Sequence, residues 1–363
     1  MAHDPDLLAR LRLIRTRSVG PITSHQLMLR FGSAQAALDA LPDLARRGGG
    51  EAPRVPSAAE VAREVDRVAA LGASYLLIGR PHYPAMLAEL ESAPPALMVR
   101  GDPELLTRPV VAMVGARNAS AAAIRFARQL AHDLAERGVV VVSGLARGID
   151  TAAHVGSLDG GTIGVIAGGI DVVYPPENDR LQEEVATRGL LVAEQPPGTE
   201  PRARHFPYRN RIIAGLAAGT VVVEAAPRSG SLITARLATE AGREVMAVPG
   251  SPLDPRAQGC NQLIRDGATL VQSADDVVAS LRPFGRSTVQ APARDYSAGR
   301  PADASENERR TILTLLGPTA VPVDELIRLS GVVPSVVQLV LVELELAGRL
   351  ERHAGGRVSL TPD

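Results

Sequence analysis

The stretch Val110-Val111-Ala112-Met113-Val114-Gly115-Ala116-Arg117-Asn118-Ala119-Ser120 runs from an unbroken apolar segment through a glycine into a polar loop, and a helical pattern follows over 120–137. An apolar run of this length without alternation fits a strand covered on both faces. The same unit recurs on either side. Further strands are expected at 75–78, 139–143, 162–167, 190–194, 220–224, 244–248 and 268–271, with helical stretches such as 232–242 between them. Strands alternating with helices make an α/β, Rossmann-like doubly wound sheet. Right-handed crossovers in such a sheet bring the loops after the strands to one edge, where ligands bind.

The loops at that edge are rich in glycine and arginine. After 110–115, the G-x-G-x-x-G spacing of a dinucleotide site fails: Gly115 is present, but Arg117 and Ser120 occupy the next two glycine positions. This argues against NAD or FAD. Arg117 instead offers a guanidinium fork at a helix entrance. After 139–143 come Ser143-Gly144-Leu145-Ala146-Arg147-Gly148-Ile149-Asp150. Its glycines let backbone amides turn inward as an anion nest, with Arg147 adding charge. Asp150 reads as an N-cap and His154 as a packed or capping histidine. In the next loop Asn178 reads as a helix cap, while Arg180 is open between the cleft and a solvated position.

Phe206-Pro207-Tyr208-Arg209-Asn210-Arg211 places two arginines and two aromatics at the start of an apolar helix. Arginines at a helix N-terminus attract anions through charge and free N–H groups. The aromatics suggest an anion that carries a flat base. Ser229-Gly230-Ser231 opens a further helix suited to phosphate, and Glu224 reads as an orienting partner for an arginine such as Arg209. Aromatics are scarce, four Phe, five Tyr and no Trp, so the grouping of Tyr174, Phe206 and Tyr208 stands out.

Composition narrows the function. The chain has 363 residues, 45% hydrophobic, with a formal net charge of −1, so any basic surface is local. All 39 basic residues are arginine. A P-loop lysine and a Schiff-base lysine are therefore excluded. Cys260 is the single cysteine, which excludes an internal disulfide and a multi-cysteine zinc site. No run of about 18 apolar residues and no secretory leader is seen, so a cytoplasmic protein is expected. No metal spacing and no cofactor are expected.

Four segments are expected. Residues 1–56 read as a helical module of the SAM or helix-hairpin-helix kind: Leu7, Leu8, Leu11 and Ile14 recur at helical spacing, Thr23 or Ser24 caps a second helix, and Gly48-Gly49-Gly50 begins a linker. Residues 57–282 hold the sheet. Residues 283–305 read as a flexible linker, and 306–363 as a winged helix with its turn at Gly355-Gly356. That last segment carries six arginines against eight acids, and its third helix holds Glu343 and Glu345 with no arginine. A groove-reading helix needs basic or amide side chains, so a protein-interaction or regulatory role is expected.

These blocks resemble the DprA family of DNA-processing proteins over roughly 80–272. The likeness runs through Tyr83-Pro84, Gly115-Ala116-Arg117, Ser143 to Asp150 with His154, and Gly169-Ile170-Asp171 with Tyr174-Pro175 and Asn178. It continues through Pro196-Pro197-Gly198-Thr199, Phe206 to Leu216, Ser229 to Ala235 and Val248-Pro249-Gly250. It implies an extended Rossmann fold and a mediator of recombination in natural transformation. Such a protein binds and protects single-stranded DNA, loads RecA, works as a homodimer and has no catalytic activity; single-strand-binding protein is a further possible partner. The implied pocket involves Arg117, Ser143, Gly144, Arg147, Gly148, Arg180, Phe206, Arg209, Asn210, Arg211, Ser229, Gly230 and Ser231. Ala116 and Gln195 depart from the family pattern. The alternative is a Rossmann-like nucleotide phosphoribohydrolase, whose paired glycines and following acid are missing around Ala226 to Ser231.

Overall fold

The computed structural model describes residues 3–281, 303–353 and 355–361. All but the last three residues of the expected linker at 283–305 lie outside them. The described residues form two compact units, one holding those up to Arg63 and from Asp303 on, the other those from Glu64 to Leu281.

The chain opens with helices α1 (Pro5–Ile14), α2 (Pro21–Phe31) and α3 (Ala34–Arg47), and α4 (Ala58–Ala70) crosses from the first unit into the second. Pro5 and Pro21 begin their helices, where a fixed φ and a missing N–H cost nothing. This corrects the expected α2 start: Gly20 is its N-cap, while Thr23 and Ser24 are buried inside the helix.

The second unit contains β1 (Ser74–Leu77), α5 (Ala85–Ala88), β2 (Ala96–Gly101), β3 (Val110–Gly115), α6 (Ala121–Glu136), β4 (Val140–Ser143), α7 (Ile149–Ser157) and β5 (Thr162–Ile166). It continues with α8 (Asp179–Arg188), β6 (Leu190–Ala193), α9 (His205–Leu216), β7 (Gly219–Val223), α10 (Gly230–Glu240), β8 (Glu244–Ala247), α11 (Gln258–Arg265), β9 (Thr269–Leu270) and α12 (Ala274–Leu281). Among the described residues these strands form one nine-stranded sheet in the order β1-β2-β6-β5-β4-β3-β7-β8-β9. From β6 to β9 the neighbours are parallel, and β1 and β2 add an antiparallel edge. The strand β2 is an addition to those read from the sequence.

Alternate residues of the central strands enter opposite cores. Val110, Ala112 and Val114 pack on one face with Ile212, Ile213 and Leu216 of α9. Val111 and Met113 pack on the other with Leu130 and Leu134 of α6. Burying each such large side chain contributes about 1.5–3 kcal/mol. Two-sided burial is why these strands lack alternation in the sequence. From β3 the chain winds outward through β4, β5 and β6, then returns to lay β7 on the other side of β3. That reversal places ligands at the carboxyl edge.

The first unit is completed by α13 (Glu306–Leu315), β10 (Val321–Pro322), α14 (Val323–Ser330), α15 (Pro334–Leu346), β11 (Leu350–His353) and β12 (Arg357–Leu360). The order β10-β12-β11 is that of a winged helix, and one hydrophobic core joins it to α1–α3. Among the described residues no single helix is long and apolar enough to cross a membrane.

Candidate functional site

The loop between β4 and α7 is held by its own helix. The Asp150 carboxylate accepts the N–H groups of Gly144, at 3.1 Å, and Ala146, at 3.4 Å. The expected anion nest therefore forms, but an internal carboxylate takes these two amides. Asp150 is also not the N-cap; Gly148 is. Leu145, fully buried, adopts φ 54°, a left-handed conformation that non-glycine residues rarely take. Its N–H donates to His154 Nε2 at 3.3 Å, and the other ring nitrogen lies 2.8 Å from Thr162 Oγ1. Burial, then the neighbouring Arg209 charge, pushes the His154 pKa down to about 3, so the ring is neutral. This is the packed histidine expected. Asn178 Nδ2 donates to Leu145 O at 2.8 Å and Thr151 Oγ1 at 3.0 Å. It stands at the N-cap of α8, as expected, but its side chain ties two strand-end loops together instead of bonding the helix.

Above this loop lies a crevice of about 210 Å³, walled by Arg117, Arg147, Tyr174, Phe206 and Arg209 with the backbone of Gly144 and Gly168. It opens over the carboxyl ends of β3, β4 and β5. Phe206 is its centre. The Arg117 guanidinium stands 5.5 Å and that of Arg209 6.0 Å from the ring centroid, within cation–π range, and the Tyr174 ring is 5.6 Å away at 56°. Arg117 is exposed. Arg147 is exposed too, with Glu177 3.8 Å away.

Arg209 is only 6% exposed. Its Nη1 donates to Val165 O at 3.0 Å, while its buried Nε has no hydrogen-bond partner. Burial lowers its pKa to about 10, offset in part by Asp150. Asp150 moves upward for the same reason, burial, offset first by Arg209. A guanidinium and a carboxylate thus share the interior beneath the crevice.

Several expected residues lie elsewhere. Ser143 is fully buried and donates to Met113 O at 2.6 Å, so it belongs to the sheet. Gly148, at φ 77°, brings α7 against the neighbouring loop: a Cβ there would stand 2.2 Å from Ala116 O. Arg180 points to solvent, 92% exposed, with its Nε 2.9 Å from Glu184 Oε1. Arg211, two residues after Arg209 and so on another face of α9, pairs with Glu194 at 2.6 Å. Asn210 is half-buried and does not line the crevice. Ser229 and Ser231 bond each other at 2.6 Å beside Gly230 at the start of α10, also off the crevice. Glu224 accepts the N–H of Ser120, the N-cap of α6, at 2.7 Å and stands 3.9 Å from Arg256, so it steadies that cap and does not orient Arg209.

Tyr174 completes the aromatic wall; the sequence marked it as one of a scarce residue type and as part of the Tyr174-Pro175 block of the resemblance. Arg202 and Arg204, exposed between Pro201 and Phe206, add charge that depresses the neighbouring His205 pKa after burial does. The buried Cys260 thiol is pushed up to about 11 by burial, which makes it a poor nucleophile. His132, Asp133 and Glu136 converge on α6, but on an exposed turn where Gln129 donates to Asp133 at 2.8 Å. The crevice thus offers guanidinium charge, a π face and no activated nucleophile, which suits binding a polyanion with bases.

Comparison with known proteins agrees with this chemistry. Residues 74–282 match the family model described as DNA recombination-mediator protein A. Residues 4–66 match a DprA-like N-terminal HHH domain and 297–356 a DprA winged helix domain. DNA processing protein DprA of Streptococcus pneumoniae is 49% identical over 201 residues, covering 55% of this chain and 71% of that protein. Protein Smf of Escherichia coli is 40% identical over 283 residues, 77% of this chain and 75% of that one. The X-ray structure of the Streptococcus pneumoniae protein aligns with a TM-score of 0.58 at 43% identity, over 62% of this chain and 78% of that chain. A Helicobacter pylori DNA processing protein A, whose structure is described by its single-stranded DNA binding mode, aligns with a TM-score of 0.53 at 29% identity, over 58% and 96%.

Proposed function

The chain belongs to the family of DNA recombination-mediator protein A, and on that premise we propose that it binds single-stranded DNA in the crevice and delivers the strand to RecA. The observation that carries this reading is the Phe206 ring with the guanidinium groups of Arg117 and Arg209 within 5.5 and 6.0 Å of its centroid. A base stacks on the ring while phosphates meet Arg117 and Arg147. Stacking of this kind contributes about 1–3 kcal/mol per base whatever the sequence. The Helicobacter pylori relative, described by its single-stranded DNA binding, supports the same ligand here.

In this reading the binding domain is residues 57–282, the protein acts as a homodimer in the cytoplasm during natural transformation, and single-strand-binding protein is met on the same strand. It holds DNA without cutting it or hydrolysing nucleotides, a reading supported by the lack of a phosphoribohydrolase's paired glycines and following acid around Ala226 to Ser231. Three arginines line the crevice. Two of them, Arg117 and Arg147, are exposed and meet phosphates, so with about −0.7 per phosphate on single strands the salt slope of binding is about −1.4. Fluorescence anisotropy with labelled oligo-dT across a salt series tests this. An affinity independent of salt, or none at low ionic strength, would overturn the reading, as would product released from labelled nucleoside monophosphates.

A further inference from the structure

The third helix of the winged helix is buried on every side. In α15, Val336, Val337, Leu339, Val340, Leu341, Val342, Glu343, Leu344 and Leu346 are all buried. A helix apolar all round belongs in a core, yet α13, α14 and the wing cover only part of it. The rest is covered by the other end of the chain. Leu27, Leu38, Leu41 and Leu44 share its core. The glycines after α3 lie directly on its backbone: a Cβ on Gly48 would stand 2.0 Å from Glu343 O, and one on Gly50 2.6 Å from Ala347 Cα. Gly48-Gly49-Gly50 is therefore a close-packing surface, which corrects its reading as the start of a linker.

The polar contacts follow the same division. Glu343, with its side chain 1% exposed, accepts two bonds from Arg309, at 2.8 and 2.9 Å, and Arg47 stands 3.9 Å away. Arg47 also reaches Asp303 at 2.6 Å. Thr23 of α2 donates to Glu345, which also receives Arg352 at 2.8 Å. Arg349 donates to Gly48 O at 3.1 Å. Of the two acids that make α15 unfit for a DNA groove, Glu345 is bonded by the N-terminal module through Thr23, while Glu343 is held by Arg309 of α13 with Arg47 of the module 3.9 Å away.

We propose that the partner of the winged helix is the N-terminal helical module of the same chain, and that the two fold and open as one domain. The helix with which such folds read a groove is committed to this internal contact. Neither end of the chain is then a free DNA reader, and strand binding stays with the sheet unit.

Hydrogen exchange by mass spectrometry on the full chain tests the coupling, with Gly48→Val as a wedge. Gly48 has φ −72°, so the new residue meets no backbone penalty and acts only through its contact with α15. Exchange is expected to rise about tenfold or more in 21–47 and in 334–346 together, with β3–β7 protected as in the wild type. Gly317→Ala, at a glycine with nothing within 4 Å, should change neither segment. Loosening confined to 21–50, with α15 as protected as before, would overturn the proposal. If Gly48→Val does not fold, Thr23→Val, which removes the α2 donor to Glu345, serves instead, with the same paired rise expected. In the unmodified protein, α15 amides exchanging as fast as those of α14 would also overturn it.

Discussion

Arg209 and Gly144 occupy one space: a Cβ at position 144 would stand 1.5 Å from Arg209 Nη1. The glycine is there because the guanidinium is, so the loop after β4 and the first turns of α9 form one fitted surface under Phe206. Gly144→Ala is expected to expel Arg209 from its bond to Val165 O and leave that buried carbonyl short of a donor, at a cost of about 1–3 kcal/mol. It should also weaken oligo-dT binding about tenfold or more, because Phe206 loses one of its two flanking cations. Denaturant unfolding and anisotropy check the two effects. Wild-type affinity in a folded Gly144→Ala protein would remove Arg209 from the site.

Arg117 and Arg180 were both candidates, and the structure separates them. Arg117 stands at the crevice, whereas Arg180 pairs with Glu184 on the exposed side of α8. Arg117→Ala should weaken binding about equally across sequences and flatten the salt slope by about 0.7. Arg180→Ala should leave affinity and slope unchanged. Equal losses in the two variants would place the strand along a different path.

How much of this was legible follows from what each signal depends on. The central strands were readable because burial on both faces leaves unbroken apolar runs. The strand β2, with Arg100 and Gly101 at its end, was not read. The separate fates of Arg209 and Arg211 were within reach, since two residues in a helix turn about 200°. The Arg180–Glu184 pair was also readable from its i, i+4 spacing. The packing of Gly48 on α15 depends on a tertiary contact between residues about 300 positions apart, and no local pattern announces it, whereas the amides that Asp150 engages lie only four and six residues before it.

Arg211 serves the fold. Its pair with Glu194 is largely buried, with side-chain exposures of 8% and 16%, and Tyr83 lies in the same field. Arg211→Ala leaves Glu194 without its cation, at a cost of about 3 kcal/mol. Its loss should lower the unfolding midpoint in urea and leave the salt slope of DNA binding as in wild type. A flattened slope with full stability would instead return Arg211 to the crevice.

His154 is expected to make the protein acid-labile. Its pKa falls from an ordinary 6.5 to about 3 because burial, then Arg209, disfavours the charged ring. Between those values the unfolded chain binds the proton and the folded chain does not. Stability from this group is therefore complete above pH 6.5 and declines as pH falls toward 3. From pH 7 to pH 5 the loss is about 2 kcal/mol. Asp150, raised by burial, acts in the opposite sense from its ordinary 3.8 upward, so the informative quantity is the difference between wild type and His154→Gln. The variant should be less stable at pH 7, having lost a fitted buried ring, but should lack this decline. Parallel stability–pH curves for the two proteins would mean that His154 is protonated in the folded state, and the bond from Leu145 N–H to its Nε2 would then be misassigned.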